Sequence, residues 1–233
     1  MARAGVLLAG DEALAALDLY FGGRYTGAWF DAVGRGTDPA SGVPVDQEPN
    51  RLTIEDLLSL SLLDVPLQPR EMIDLFEVNR DLDHLLGRIS RRLTLGGAPS
   101  ACDLTETPWA SADEAHRLLR TVSGVGRTRA SKLLARKRPH LIPIWDRHVA
   151  EGLGMRGPDN DWVIVQDVVV AHADRLQDLG DQLRGNHRDA GRIDGLSLLR
   201  VLDVIVWMRV HGADLIGGGE IVKVSPRSLI RAP

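Results

Sequence analysis

Apolar residues recur along this chain mostly at three- and four-residue intervals, the spacing that lines one face of a helix. Asp11 to Tyr20 reads as a first helix, with Asp11 and Glu12 in the turn where the helix dipole favours acids, and Gly22-Gly23 ends it. The Gly-, Pro- and Asp-rich stretch from about Gly34 to Asn50 reads as a long loop, and loops of that length in compact domains are as a rule functional or mobile. Thr53-Ile-Glu-Asp opens a second helix carrying Leu57, Leu58, Leu60, Leu62 and Leu63, which stops before Pro66. A third, from about Pro69 to Arg92, places Met72, Leu75, Phe76, Leu82, Leu85 and Leu86 on an approximate stripe.

Beyond Gly96-Gly97 and a polar linker, Ser111-Ala-Asp-Glu starts a helix bearing Leu118 and Leu119. Gly124-Val125-Gly126 then turns into another that ends near Pro139, and a short element begins around Trp145. Asn160 to Leu183 has a helical pattern, although the β-branched run from Val163 to Val170 fits a strand as well. Ser197 to Val210 is apolar almost all round, the mark of a central buried helix. Asp214 to Val224, around Gly217-Gly218-Gly219, reads as a small hairpin. The expected fold is therefore mostly α and one unit: a helix and long loop over 1–50, a helical core over 51–213, and a tail over 214–233. No internal repeat, heptad array or strand–helix alternation interrupts it, and the Gly-rich fingerprints of Rossmann and P-loop folds are missing from the sequence.

The 233 residues are 44% hydrophobic and 26% charged, an ordinary globular balance that can fill a core. The single cysteine, Cys102, rules out an intramolecular disulfide framework, a Cys-rich zinc site and a four-cysteine iron–sulfur cluster. A reducing cytoplasm fits that usage, with nucleoid association if the protein binds DNA. The first ten residues hold too short an apolar run for a signal segment, and no stretch approaches the roughly 20 apolar residues of a membrane helix. The seven histidines form neither His-x-x-x-His nor His-Glu-x-x-His, so neither a metal nor another cofactor is expected.

Net charge is −4, yet it is unevenly spread. Between His116 and Trp145 there is no acid, while Arg117, Arg120, Arg127, Arg129, Lys132, Arg136, Lys137 and Arg138 contribute +8. The remainder holds 20 basic against 32 acidic residues, a balance of −12. A positive band on an acidic body suits a polyanion such as double-stranded DNA. The alternative is a helix whose arginines pair with acids elsewhere in the fold. Within the band, two glycines can bring a backbone turn and a helix N-terminus close to a phosphate, beside Arg127 and Arg129. A corner closed by glycine for steric reasons alone has the same sequence.

Twenty residues after Gly126 comes Asp146, in Leu141-Ile-Pro-Ile-Trp-Asp146-Arg-His148-Val149, followed by Leu153-Gly154. With the Gly-Val-Gly turn, this resembles the helix–hairpin–helix (HhH-GPD) DNA glycosylase superfamily, the endonuclease III-like group, over about Leu118 to Gly154. The chain is also similar to bacterial proteins described only by a domain of unknown function. The resemblance implies a glycosylase-like multi-helix fold with its helix–hairpin–helix at about 112–138. Gly124, Val125, Gly126, Arg127, Arg129 and Lys132 would then contact DNA, with Asp146 at the catalytic aspartate. Thr128 stands where bifunctional members carry a nucleophilic lysine, so a hydrolase without lyase activity is implied, unless Lys132, one turn on, substitutes. Ser123 replaces the hairpin proline, and Arg147 the threonine after the aspartate.

Cleaving an N-glycosidic bond develops positive charge on the sugar, which one carboxylate stabilises while it activates water. Asp146 suits that role, and N-capping of the helix after it is compatible with catalysis. A flipped base needs an apolar or aromatic pocket. Trp145 and Trp109 are candidate walls, with Trp29 and Trp207 behind them, and core packing is the competing role for each. The rival functions are a non-catalytic helix–hairpin–helix DNA-binding module and a helical scaffold or interaction domain.

Overall fold

Helices account for nearly all the regular structure in a computed structural model that describes residues 11–40, 44–99, 101, 108–155, 161–187, 192–211, 215–217 and 220–222. Cys102, Asn160, the hairpin glycines 218–219 and the first ten residues lie outside them. Helix α1 spans Asp11–Leu19 and runs into a π-turn, Tyr20–Arg24, and a 3-10 turn, Thr26–Trp29. Thr53 caps α2 (Ile54–Ser59): its side chain accepts from the Asp56 amide while the Asp56 carboxylate accepts from the Thr53 amide, satisfying two helix-end donors reciprocally. A 3-10 turn, Leu60–Leu63, continues it, and Asp64 ends it in the left-handed conformation at φ 55°.

The stripe from Pro69 to Arg92 belongs to two helices rather than one, α3 (Pro69–Glu77) and α4 (Asn79–Gly87). At the break, buried Asn79 grips the chain ahead of α2: its Oδ1 accepts from the Leu52 amide at 2.8 Å and its Nδ2 donates to the Leu52 carbonyl at 3.0 Å. Helix α5 (Trp109–Leu119) packs on α6 (Arg127–Lys137) across the glycine turn. Then come α7 (Arg147–Leu153), α8 (Asp161–Ala171), α9 (Ala173–Asn186) and α10 (Leu198–Val210). The single helix expected from Asn160 is thus two, parted at His172, and the β-branched run of Val163 to Val170 is helical.

Helix α10 lies at the centre, packed against α7, α9, α1 and α8, and α2 and α5 adjoin α6 on the other side. One continuous apolar core joins the two groups, from Leu17 and Phe21 through Leu75, Leu86 and Trp109 to Ile205. The stretch from Gly34 to Asn50 is not featureless. Strands β1 (Gly36–Thr37) and β2 (Pro44–Val45) pair antiparallel, with Gly36 opposite Val45. The tail hairpin has Leu215–Gly217 (β3) antiparallel to Glu220–Val222 (β4). No helix among the described residues is long and apolar enough to cross a membrane.

Candidate active site

Asp146 is placed by three local bonds. Its Oδ1 accepts from the His148 amide at 2.9 Å and so caps α7, while Gly154 closes the other end in the left-handed conformation. One residue earlier, the Trp145 amide donates to the Ser131 hydroxyl at 3.0 Å, tying this segment to α6. Lys132, next along α6, then reaches Asp146 Oδ2 at 3.3 Å and the Leu63 carbonyl at 3.5 Å. Capping and a place in a cavity therefore coexist in one carboxylate.

That cavity is a cleft of about 390 Å³ between the Tyr20–Gly27 segment, Leu62–Val65, the starts of α6 and α7, and one face of α10. Its size falls within the roughly 300–1,000 Å³ typical of small-molecule sites. The α10 contribution is a stripe: Arg200, Asp203 and Trp207, then the C-cap His211, follow one another at three- and four-residue steps, with Val204 beside Asp203. Trp207 stacks on His211 at 4.3 Å and meets the Tyr25 ring edge-on at 5.9 Å, and Tyr25 stacks on Tyr20 at 5.3 Å. An aromatic wall thus stands over a charged floor.

The floor is ordered by buried Arg200. Its Nε meets Asp31 at 2.9 Å, its Nη2 donates to the Tyr20 hydroxyl and the Gly27 carbonyl at 2.9 Å each, and its Nη1 meets Asp203. Burial opposes the Arg200 charge, but Tyr20, Asp31 and Asp203 outweigh it and hold the guanidinium protonated. Burial likewise pushes the Tyr20 phenol up, against the pull of Arg200.

The hairpin residues are committed elsewhere. Gly124 has φ +82°, which glycine adopts without strain, and a Cβ there would overlap the Glu71 carboxylate. The Val125 amide donates to the Val122 carbonyl at 3.0 Å and the Gly126 amide to the Gly124 carbonyl at 3.2 Å. Arg129 pairs with both Glu71 oxygens at 3.1 Å and donates to the carbonyls of Gly124 and Pro66. Arg127 lies 4.3 Å over the Trp145 ring.

The expectation of a surface band facing a polyanion is corrected by burial, since Lys132, Arg136, Lys137 and Arg138 are at most 4% exposed. Arg136 Nε meets Asp56 at 2.6 Å and its other nitrogens donate to the Phe30 and Val33 carbonyls. Lys137 pairs with Asp56 and, at 3.1 Å, with Asp46. Arg138 saturates the carbonyls of Leu86, Ile89 and Pro49, and burial lowers its pKa to about 10. Arg117 pairs with Asp113, leaving Arg120 exposed at the turn. The acids elsewhere in the fold claim most of the band.

Two aromatic assignments are corrected as well. Trp109 lines no part of the cleft: it is fully buried, its indole donates to the Pro99 carbonyl at 2.9 Å, and its ring packs 5.1 Å from Trp162. Trp145 lies under Arg127 rather than on the cleft wall. Trp207 takes the wall position, while Trp29 is exposed beneath Arg192. Sequence reasoning missed Tyr20, Arg200, Asp203 and His211 as site residues. The available signal was the interruption of an otherwise apolar helix by Arg200, Asp203 and Trp207 at helical spacing. Among the described residues, no three His, Cys, Asp or Glu side chains cluster as metal ligands.

A family described as "Family of unknown function (DUF6308)" matches residues 13–210, most of the chain. No curated protein and no solved structure matches significantly.

Proposed function

The chain belongs to the DUF6308 family, whose function is unknown, and from the chemistry of its cleft we propose hydrolysis of the N-glycosidic bond of a damaged or modified base in duplex DNA, without strand cleavage. One observation carries this reading: the Asp146 carboxylate lines an aromatic-walled cleft of base-sized dimensions. Stacking on Trp207 and Tyr25 suits a flat base out of its stack. Asp146 stabilises the sugar cation as the bond breaks and takes a proton from the attacking water. Thr128 and Arg147, in the first turns of α6 and α7, bring two positive helix ends to the rim, where a sugar-phosphate would lie. Lys132 is engaged with Asp146, and an ammonium so held is no nucleophile, which favours hydrolysis over lyase chemistry.

The test is incubation with a panel of lesion-containing duplexes, followed by hot alkali to cut abasic sites. The wild-type protein yields cleavage, Asp146→Asn reduces the rate by about 10²–10⁴-fold, and borohydride traps no covalent adduct. No cleavage across a broad panel, or equal rates in the variant, overturns the proposal.

A second substrate reading, a free nucleoside, is favoured by the buried basic band and the internally bonded hairpin amides. It predicts base release from nucleosides with Asp146 still required, and no duplex binding at low salt. Equal duplex binding by the wild type and Asp146→Asn, with no base release by either, would indicate a non-catalytic DNA-binding module.

A further inference from the structure

We propose that Asp203 is the proton donor to the departing base, the acid partner of the Asp146 carboxylate. The assignment rests on the glycosidic-bond reading above. Asp203 reaches the cleft from α10, where it is 8% exposed, between the floor made by Arg200 and the wall made by Trp207.

Its enclosed place in the same cleft as Asp146 singles it out. The charged groups that act on Asp203 are Arg200, Lys132 and Asp146, while Asp31 is shared by Arg200 and the field of Arg35. Around them lie the Tyr20 and Tyr25 phenols, the His148 and His211 imidazoles, and the charged side chains of Arg147 and Asp64. Asp146 caps α7 through one oxygen and meets Lys132 through the other, which suits it to the carboxylate role. Asp31 is less enclosed than Asp203 and does not line the cleft. Among the described residues Asp203 is held at Oδ2, by Arg200, which leaves Oδ1 to carry the proton. Burial pushes the Asp203 carboxyl above the ordinary carboxylate range, with Arg200 and Lys132 opposing and Asp146 reinforcing. Two carboxyl groups in one cleft, Asp146 paired with Lys132 and Asp203 pushed up by burial, form the kind of unequal pair that acid–base cleavage uses.

The step balances as follows. The C1′–N bond breaks and its electron pair goes to the base nitrogen, which takes the Asp203 proton, so the base leaves neutral. Water adds to C1′ and gives its proton to Asp146. Exchange with solvent returns a proton to Asp203 and removes one from Asp146.

The experiment compares wild type, Asp146→Asn, Asp203→Asn and Asp203→Glu on a cleavable nucleoside or lesion and on a 4-nitrophenyl pentofuranoside, whose leaving group departs without protonation. Asp203→Asn is expected to lose about 10²–10⁴-fold on the base substrate and less than about tenfold on the nitrophenyl substrate. It also loses the alkaline limb of the wild-type kcat/KM profile, and Asp203→Glu recovers part of the base-substrate rate. Asp146→Asn loses both reactions. Equal losses on both substrates in a folded Asp203→Asn, or an unchanged pH profile, overturn the role of Asp203 while leaving the hydrolase reading intact. Inactivity of the wild type on both substrates overturns that reading and this inference together. Should Asp203→Asn not fold, the infrared carbonyl stretch of a protonated carboxyl decides: present at neutral pH in the wild type and shifted in Asp203→Glu it supports the proposal, absent from the wild type it overturns it.

Discussion

Two tryptophans separate packing from function at the level of single side chains. Trp109 and Trp207 both look like base-pocket candidates in one dimension, yet one is walled into the core and the other faces a cleft. Trp109→Ala is expected to cost about 3–5 kcal/mol of stability, the usual cost of emptying a large buried aromatic site. Urea unfolding measures it, and the remaining folded protein keeps its rate constants. Trp207 is partly buried and packed on the core, so Trp207→Ala is expected to lower the midpoint less than Trp109→Ala and to weaken base binding by about 1–3 kcal/mol, the worth of one stacking contact. A ligand titration that finds equal affinity in both proteins would remove Trp207 from the pocket wall.

Helix α6 divides its labour along its length. Its first two turns present Thr128 and Lys132 to the cleft, and its last turn holds Arg136 and Lys137 among the acids of a distant segment. Asp56 of α2 is the common partner of that last turn. Removing it leaves buried Arg136 without a carboxylate and Lys137 with Asp46 alone, so Asp56→Ala is expected to destabilise the protein by about 3–5 kcal/mol, read as a lower denaturation midpoint. Replacing Arg136 and Asp56 together with apolar residues should restore much of the loss, because the desolvation penalty disappears with the charges. A double variant as unstable as Asp56→Ala would show that the guanidinium contacts to Phe30 and Val33 dominate instead.

Across the whole molecule, the buried titratable groups set how stability depends on pH. Burial lowers the His116 pKa, despite its Nε2 lying 3.4 Å from the Arg127 carbonyl, so this imidazole is neutral when folded and charges more readily when unfolded. Its contribution is complete above the unfolded value of about 6.5 and is lost as pH falls below it. Burial pushes Asp56 up, but Lys137, Arg136 and the Thr53 amide outweigh it and hold it below the ordinary range. Its contribution is complete above the unfolded value of about 3.9 and disappears as pH falls through the lower folded one. Asp203, raised by burial, runs in the opposite sense and is relieved by acid. A thermal melt series is expected to show Tm falling in two stages on acidification. His116→Gln flattens the near-neutral stage and Asp56→Ala the acidic one; an unaltered curve in either variant rejects that assignment.

How much of this was legible depends on distance along the chain. Helical periodicity, the Thr53 capping box and the run from Trp145 to Gly154 are local, and they marked the helical class and Asp146 because neighbouring residues alone decide them. The break at Val78 depends on Asn79 meeting Leu52, and the one at His172 has no local punctuation that a periodicity count detects. The sign of the basic band was plain, but its burial was not, because Asp46, Asp56 and Glu71 arrive from 58 to 91 residues away. By itself the sequence determined which residues could be charged, capped or apolar, and with what period. Only the tertiary structure decided which charges face one another and which face a cavity, since Coulomb energy and desolvation depend on separation in space and on exclusion of water, and neither is a property of order along a chain.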